Sequence, residues 1–301
     1  MKVLIAGGTG LIGKALALAL TESGNQVWVL SRSPERAQMT ARVQVTAWDG
    51  KSPQGWGQLI NEMDAIINLA GASIGTQRWT ENRKDEIRES RLNAGQAIVD
   101  AVKMASKVPR LLVQASAVGY YGTSSDLPLD EVSPAGSDFL SKICVEWEAS
   151  TRPVEELGVR RVVIRTGVVL DRHEGALARI LLPFYLFAGG PLGSGRQWLP
   201  WIHIKDEVDA IRFLMADETA SGVFNLTAPQ PLINADFGKK IARVLKRPYW
   251  LPAPAFVLRF LLGEMSLLVL EGQRPLPRRL QAAGYQFHYE EAEKALRDLL
   301  K

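Results

Sequence analysis

The sequence predicts an α/β protein with a doubly wound parallel sheet, followed by a smaller mixed α/β region on the substrate side. Up to residue 166, apolar runs rich in branched residues alternate with helical patterns. This alternation indicates a parallel sheet that is covered on both faces. The first apolar run passes into a helix through closely spaced glycines, and after residue 167 glycine and proline cluster and the regular alternation stops.

The first thirty residues predict a strand, a glycine turn, a helix and a second strand. We expect strands over 2–6 and 26–30 and a helix over 14–20. Three glycines in the turn have the spacing G-x-x-G-x-x-G: Gly7, Gly10 and Gly13. Such glycines allow a tight turn, close approach of a pyrophosphate and close packing of helix on strand. The helix N-terminus adds free N–H groups, so we predict a dinucleotide site rather than an ordinary turn.

The end of the second strand indicates which dinucleotide is bound. An NAD site usually carries Asp or Glu here for the ribose 2′-hydroxyl, whereas this chain has Ser31-Arg32-Ser33. A planar, permanently charged guanidinium suits a 2′-phosphate, which predicts NADP(H). In the alternative, Arg32 only begins the next helix, with Pro34 in its first turn, and Glu35 serves the ribose.

Further strands and helices complete the expected pattern. The fourth strand runs into small residues, which let a flat ligand lie against the backbone. We expect strands over 43–48, 64–71, 110–115, 159–166 and 223–226, and helices over 139–156, 208–216, 234–245 and 289–300.

Composition is that of an ordinary globular protein of 301 residues, with 47% hydrophobic and 23% charged residues and a net charge of +4. The basic residues are scattered, so we expect no nucleic-acid partner. The single cysteine, Cys144, excludes an internal disulfide and favours a reducing compartment. We expect neither a membrane-spanning stretch nor a signal peptide, and hence a cytoplasmic protein. The three histidines lie far apart in the sequence, so we expect no metal site.

Several segments in combination identify a family. They are the glycine turn, Asn68-Leu69-Ala70-Gly71, Arg78-Trp79-Thr80, Ser116 to Gly122, Arg165 to Leu170, Gly189 to Gln197 and Trp201 to Ile204. The chain resembles the extended short-chain dehydrogenase/reductase superfamily, in its atypical epimerase-like branch. The tail Gly272-Gln273-Arg274 is similar to the extra C-terminal domain of unknown function of that branch. The resemblance implies a Rossmann fold that binds NADP(H).

The resemblance also implies a domain division and a set of cofactor contacts. We expect an NADP-binding Rossmann domain over 1–166, a substrate-side extension over 167–248 that can return strands to the main sheet, and the family-specific C-terminal domain over 249–301. The expected cofactor contacts are Gly7, Thr9, Gly10, Leu11, Ile12, Gly13, Ser31, Arg32, Asp49, Leu69, Ala70, Gly71 and Arg165.

Only some of the catalytic residues implied by the resemblance have a counterpart in this chain. The superfamily uses Ser, Tyr and Lys, with Tyr as the acid or base at the substrate oxygen. The resemblance places the Ser at Ser116 and the Lys at Lys142, four residues after Asp138, which stands where the family has Tyr. An ionised Asp cannot replace a phenol, although burial could favour its protonated form and make it a general acid or base. Tyr120 or Tyr121 could instead supply a phenol from the loop after Ser116, unless each only shapes that loop.

The substrate side offers Arg196 and Gln197, which follow a glycine loop and suit an anionic small molecule. The resemblance implies that the segment of His203 mainly ties the two domains together, so we expect His203 to be structural rather than catalytic. We therefore expect an NADP(H)-dependent oxidoreductase or a nucleotide-sugar-epimerase-like enzyme of unknown substrate. The alternative is a non-catalytic NADP(H)-binding regulatory or redox-sensing protein, because the Tyr position is Asp138. The resemblance also implies a homodimer, paired through the helices after the fourth and fifth strands.

Overall fold

The computed structural model describes residues 1–123 and 126–301. Its strands are β1 (Lys2–Ala6), β2 (Gln26–Ser31), β3 (Val43–Ala47), β4 (Ala65–Asn68), β5 (Leu111–Ala117), β6 (Pro128–Leu129), β7 (Arg160–Thr166), β8 (Val168–Leu170), β9 (Trp198–Leu199), β10 (Trp201–His203), β11 (Gly222–Leu226), β12 (Leu232–Ile233) and β13 (Arg274–Pro275). Its α-helices are α1 (Leu11–Glu22), α2 (Glu81–Met104), α3 (Phe139–Ser150), α4 (Gly175–Tyr185), α5 (Ile204–Ala216), α6 (Asn234–Leu245), α7 (Ala255–Leu262), α8 (Leu267–Leu270), α9 (Arg278–Ala282) and α10 (Ala292–Leu300).

The main sheet has seven parallel strands in the order β11-β7-β5-β4-β1-β2-β3. The direction of the chain across the sheet reverses between β1 and β4, which makes the fold doubly wound, as the sequence predicts. In such sheets ligands bind outside the carboxyl ends of the strands at this switch point. The glycine turn after β1 lies at that point.

Both faces of the sheet are buried, which explains its continuous apolar strands. Val3 and Ile5 share a core with Leu16 of α1 and Ile211 of α5. On the other face, Leu4 packs in a core with residues of α2. Helices α2 and α3 approach closely because residue 95 is glycine: a Cβ there would lie 2.0 Å from the Ser150 hydroxyl oxygen.

Strand β11 forms one edge of the main sheet, although it comes from the segment after residue 167. The Arg279 guanidinium donates hydrogen bonds to the carbonyl oxygens of Val223 and Ser221 at 2.7 and 2.8 Å. It also lies 4.3 Å from the centre of the Phe224 ring. A side chain of the C-terminal region therefore covers part of an edge that would otherwise present unpaired groups.

A second core lies beside the sheet. Leu177 and Leu181 of α4, Phe237 and Ile241 of α6, and Leu296 of α10 pack together there. Two short strand pairs lie within this region, β8 with β10 and β9 with β12. A third pair, β13 with β6, joins the C-terminal region to the segment after β5. Within the described residues, no helix is both long enough and apolar enough to cross a membrane.

Some element boundaries differ from the sequence prediction. The helix expected over 139–156 ends at Ser150, and a 3₁₀ turn over Arg152–Leu157 follows. Pro153 lies in this turn and has no backbone N–H to continue the helix. The C-terminal helix begins at Ala292 rather than at residue 289. Helix α4 contains Pro183 and was not predicted.

Candidate cofactor and active site

Gly7 and Gly13 have to be glycine for geometric reasons. Gly7 has φ +79°, and a Cβ there would lie 2.6 Å from the carbonyl carbon and oxygen of Leu69. A Cβ at Gly13 would lie 2.5 Å from the Gly7 carbonyl oxygen. The turn after β1 is thus in direct contact with the turn after β4, and α1 packs tightly onto the turn after β1. Both glycine contacts follow the roles that the sequence motif predicts.

The N-terminus of α1 is open to an anionic ligand. Its N-cap is Gly10, which has no side chain to accept from the first N–H groups of the helix. Leu11, Ile12 and Gly13 therefore present donors at the positive end of the helix dipole. Thr9 is half-buried beside them. The arrangement fits a pyrophosphate group.

The end of β2 carries an exposed guanidinium. Ser31 is buried, and its hydroxyl oxygen accepts a 3.1 Å bond from the backbone N–H of Ser33. Arg32 is exposed, and its Cδ would lie 3.5 Å from a Cβ at Gly50. Of the two expected side chains, Ser31 thus shapes the turn and Arg32 is accessible to a phosphate.

Asp49 shapes the neighbouring turn after β3. Its Oδ1 accepts from the backbone N–H groups of Lys51 and Ser52 at 2.8 Å, and its Oδ2 accepts from the Ser52 hydroxyl at 2.7 Å. These bonds, first that from Lys51 and then those from Ser52, lower the pKa of the Asp49 carboxyl. Its role as a cofactor contact stays a prediction.

The turn after β4 is held by buried amides. The Asn68 side chain donates to Gln114 Oε1 at 2.9 Å and accepts from the Ala70 backbone N–H at 3.2 Å. These bonds position Leu69 and Ala70 against Gly7. Gly71 follows and is exposed.

Arg91 lies directly behind this turn, and sequence reasoning missed it. A Cβ at Gly71 would lie 3.0 Å from its guanidinium carbon. One of its nitrogens donates to the carbonyl oxygens of Ala72 and Ile87 at 3.1 and 2.8 Å. Burial lowers the pKa of Arg91 to about 10. Arg91 belongs to no motif, because only the fold brings α2 to this turn.

The Ser116 side chain is buried, and its hydroxyl is hydrogen-bonded to another side chain of the protein. Its hydroxyl donates a 2.7 Å hydrogen bond to Oε1 of Glu148, and the residue is 3% exposed. Arg165 donates to both oxygens of the same carboxylate, at 2.8 and 3.0 Å. The guanidinium also lies 3.3 Å from the centre of the Tyr120 ring. These contacts favour a structural role for Arg165, and its expected contact with the cofactor stays a prediction.

Tyr121 is also engaged by neighbouring side chains. Its hydroxyl donates to Asn225 Oδ1 at 2.6 Å and accepts from Arg165 at 3.2 Å. Burial raises the pKa of Tyr121 to about 12. A phenol with a raised pKa releases its proton less readily, so this environment does not favour Tyr121 as a general base at neutral pH.

Asp138 is the N-cap of α3. Its Oδ1 accepts from the backbone N–H and the hydroxyl of Ser141, both at 2.9 Å, and its Oδ2 accepts from the Thr123 N–H at 3.0 Å. Lys142 follows in the first turn of the helix and is exposed. The residue at the family's tyrosine position thus has a local structural task.

The two expected substrate residues have different surroundings. Arg196 is exposed, as a residue that binds an anion should be. The Gln197 amide instead donates to the carbonyl oxygens of Leu192 and Val269 at 3.0 and 2.7 Å. Gln197 therefore joins the glycine loop to the C-terminal region.

The His203 side chain makes two contacts that stabilise the fold. Its Nδ1 accepts from the Lys205 N–H at 3.0 Å and so caps α5. Its ring stacks on Tyr289 with centres 4.0 Å apart.

The loop over 71–80 is hydrogen-bonded to α4 and to α7. Arg179 of α4 donates to the Gly75 carbonyl oxygen. Arg78 donates to the Phe260 carbonyl oxygen of α7 at 3.2 Å. Lys84 and Glu264 form an ion pair of 2.6 Å. The C-terminal segment is thus held against the loop that follows the switch point.

Comparison with known proteins agrees with this architecture. Residues 3–227 match the model of the NAD dependent epimerase/dehydratase family, and residues 253–299 match a domain of unknown function, DUF1731. The epimerase family protein YfhF of Bacillus subtilis (strain 168) is 42% identical over 303 residues, covering 100% of this chain and 98% of the relative.

Two solved structures extend the comparison. The human epimerase family protein SDR39U1 (isoform 2), crystallised with NADPH, is 36% identical with a TM-score of 0.89, and the match covers 99% of both chains. UDP-N-acetylglucosamine 4-epimerase from Bacillus cereus has a TM-score of 0.78 at 16% identity, covering 99% of this chain and 98% of that one, which shows the fold alone. The chain therefore belongs to the NAD dependent epimerase/dehydratase family, in the atypical extended short-chain dehydrogenase/reductase branch that carries the DUF1731 domain.

Proposed function

We propose that this protein binds NADP(H) at the switch point of its sheet, with the pyrophosphate at the N-terminus of α1 and the 2′-phosphate beside Arg32. The observation that carries this proposal is the pairing of an uncapped helix N-terminus with an exposed guanidinium at the end of β2. The similarity to human SDR39U1, solved with NADPH, supports the same cofactor.

The test is a titration with NADPH and, separately, with NADH. Binding is followed by tryptophan quenching, for which the chain has eight tryptophans, or by calorimetry. We expect tight binding of NADPH and weak binding of NADH. Arg32→Ala should weaken NADPH binding by about 10- to 100-fold, as loss of a charge-assisted hydrogen bond does, and leave NADH binding unchanged.

Arg152→Ala is the matched control. Arg152 is also exposed, but it lies before β7, at the opposite end of the sheet from the switch point. If Arg32→Ala bound NADPH as tightly as wild type and Arg152→Ala, the assignment of Arg32 would be wrong.

Within this function, we propose an oxidoreductase or epimerase-like activity on a small substrate. When bound, the nicotinamide supplies or accepts a hydride. Exposed Arg196 suits an anionic group of the substrate, and Lys142 is accessible on the first turn of α3. Oxidation of NADPH is measured over a panel of carbonyl compounds, and over a panel of nucleotide sugars reduction of NADP+ and conversion of one epimer into another are measured. Turnover that is lost in Lys142→Met while NADPH binding persists would support the proposal.

A second candidate function is a non-catalytic NADP(H)-binding regulatory protein. The hydroxyl groups of Ser116 and Tyr121 are both held by buried partners, and Asp138 caps a helix. Each of these three groups is thus engaged by another part of the protein. Tight NADPH binding without turnover over the whole panel would support this second function and contradict the first.

A further inference from the structure

Arg274 of β13 has a guanidinium without a polar partner in the part of the chain that the structure describes. Its Cζ lies 4.6 Å from the centre of the Trp198 ring. Its Nε is buried and has no hydrogen-bond partner within residues 1–123 and 126–301. Nη1 and Nη2 donate to no described group either, but they are not among the buried polar atoms. The outer edge of this half-buried cation is therefore open to a ligand.

Three other guanidinium groups that lie against aromatic rings have polar partners. Arg165 donates to both oxygens of Glu148. Arg279 and Arg91 each donate to two backbone carbonyl oxygens. A partly desolvated guanidinium without acceptors is unfavourable, and an anion with two oxygens in one plane satisfies it with two parallel hydrogen bonds. Arg274 is the guanidinium of this group that such an anion would complete.

The segment of Arg274 lies at the carboxyl end of the edge strand of the main sheet. Asn225 of β11 donates to the Leu276 carbonyl oxygen at 3.0 Å. The hydroxyl of Thr227, which follows β11 directly, donates to the Pro275 carbonyl oxygen at 3.4 Å. Ligands of doubly wound sheets bind outside the carboxyl ends of the strands. Arg274 is therefore on the ligand side of the sheet.

Trp198 connects Arg274 to the glycine loop of the substrate side. It directly follows residues 196–197, for which the sequence predicts contact with an anionic substrate. A Cβ at Gly272 would lie 2.0 Å from the Trp198 carbonyl oxygen, so the chain before Arg274 passes close to this loop. The Trp198 indole N–H donates to Asp126 Oδ1 at 3.0 Å, which holds the ring in one orientation. A guanidinium that lies on a fixed ring loses little freedom when it binds an anion.

The sheet sets the distance between this cation and the reacting centre. Strand β11 is separated from β5 by β7 alone. Neighbouring strands lie about 4.8 Å apart, so the carboxyl ends of β11 and β5 are on the order of 10 Å apart. The end of β5 carries Ser116, the expected catalytic position. An anion at Arg274 would therefore be remote from the reacting carbon of the same substrate.

We propose that Arg274, placed against Trp198, binds an anionic group of the substrate, a phosphate or a carboxylate that lies about 10 Å from the reacting carbon. The proposal rests on the NADP(H)-dependent activity proposed above, whose cofactor binds at the switch point. It gives the C-terminal domain of unknown function a task, because this domain supplies the cation that selects the substrate.

Titration with inorganic phosphate and, separately, with acetate tests this subsite, on the protein saturated with NADPH and on the protein without it. Potassium chloride keeps the ionic strength constant, and tryptophan fluorescence is the signal, since the anion would bind beside Trp198. We expect saturable binding of at least one anion to wild type, with a Kd on the order of 1 mM. Arg274→Gln should weaken it at least about tenfold, as loss of a charge-assisted pair does.

Arg278→Gln is the matched control. Arg278 is exposed on the following helix and should be dispensable for binding of either anion. Arg274→Lys keeps the charge without the planar fork and should weaken binding less than Arg274→Gln. Circular dichroism and thermal unfolding show whether each variant is folded.

A second measurement uses wild type and does not depend on the folding of any variant. Phenylglyoxal modifies accessible arginines, and mass spectrometry of the digested protein gives the rate at each position. Phosphate at ten times its Kd should slow modification of Arg274 about tenfold, because the bound fraction is protected. Modification of Arg278 should keep its rate. An unchanged rate at Arg274 would contradict the proposal.

Three further outcomes would overturn it. The first is a wild-type protein that binds neither anion saturably. The second is binding that Arg278→Gln weakens as much as Arg274→Gln, which would mean an adventitious ion only. The third is a loss of NADPH binding in Arg274→Gln as large as that in Arg32→Ala, which would make the anion a part of the cofactor. A protein that binds phosphate through Arg274 but binds no NADPH would instead overturn the proposed cofactor and leave the anion subsite in place.

Discussion

The hydroxyl of Ser116 and the carboxylate of Glu148 lie 2.7 Å apart, with the hydroxyl as donor. Arg165 holds the same carboxylate with two nitrogens, and its side chain is only 3% exposed. The three side chains come from β5, α3 and β7, so they join two neighbouring strands of the sheet to the helix that covers them. The contact gives Ser116 a structural task at the end of its strand.

Glu148→Gln should strongly destabilise the protein. It leaves the buried guanidinium of Arg165 without its counter-charge, which costs on the order of 3 kcal/mol. Ser116→Ala removes one hydrogen bond to a charged group and should cost about 1–2 kcal/mol. Glu146→Gln is the control, because Glu146 is on the same helix in an exposed ion pair whose loss costs less than about 1 kcal/mol. Urea unfolding measures all three. A Ser116→Ala variant of wild-type stability with lost NADPH binding would place Ser116 at the ligand instead.

Asp138 should act as a helix cap. Asp138→Ala removes the acceptor for the Ser141 N–H and should cost about 1 kcal/mol. Asp138→Asn keeps an acceptor oxygen and should cost less, although it loses the charge at the helix N-terminus. Thermal unfolding and NADPH titration of both variants test this prediction. It fails if the Asn variant keeps wild-type stability and binds no NADPH, which would mean that the carboxylate contacts the cofactor.

Gly7→Ala should damage both stability and cofactor binding. The new Cβ would meet the Leu69 carbonyl at 2.6 Å, so the turns after β1 and β4 have to separate. Gly24 is a matched control, since its φ is +80° but a Cβ there meets no described atom within 4 Å. Gly24→Ala should cost about 1 kcal/mol from the left-handed backbone alone. Gly7→Ala should cost more and weaken NADPH binding about tenfold or more. Equal losses in both variants would contradict the contact.

Glu207 should make stability depend on pH. It is 0% exposed, it accepts from the Thr166 hydroxyl at 2.8 Å, and burial raises its pKa to about 8. The folded protein therefore holds a proton that the unfolded chain releases near pH 4.5, the ordinary value for a glutamate side chain. Because the folded state binds more protons, this group lowers the free energy of unfolding by up to about 1.4 kcal/mol per pH unit as pH rises from 4.5 to 8.

Glu207→Gln should remove this contribution. Relative to wild type, the variant gains stability from about pH 5 to about pH 8, and the gain levels off above the folded pKa. Glu218→Gln, just after the end of the same helix, is an exposed control and should keep the wild-type pH profile. Urea unfolding at several pH values measures the difference. A constant difference between wild type and Glu207→Gln over this range would contradict a neutral buried carboxyl.

Local patterns predicted the Rossmann part of the fold well. Strands β1 to β5 and β7 follow from short apolar runs, and the turn at Gly7 follows from the glycine spacing. Boundaries such as the end of α3 were less accurate, because Pro153 and the 3₁₀ turn change the helix only locally. Helices α4 and α7 were missed, since Pro183 and the dense apolar sequence AFVLRFLL obscure any helical period.

In the candidate site too, local sequence patterns indicated some residues and missed the contacts of others. Gly7, Gly10, Gly13 and Arg32 could be proposed from the sequence because all lie within one strand–helix–strand unit, where sequence spacing translates directly into distance. The partners of Ser116 and Tyr121 were not predicted. Glu148 lies 32 residues from Ser116, and Asn225 lies 104 residues from Tyr121.

By itself, the sequence determined the sheet, the glycine turn, the family and the guanidinium at the end of β2. The turn and the guanidinium depend on residues that are close together along the chain, and the sheet depends on short apolar runs that alternate with helical patterns. The family depends on several such segments in combination. Only the tertiary structure decided that Ser116 donates to Glu148, that Asp138 caps α3, that Glu207 is buried and that Arg274 lies against Trp198. Burial and pairing are properties of segments that meet after folding, and no local pattern states which segments will meet.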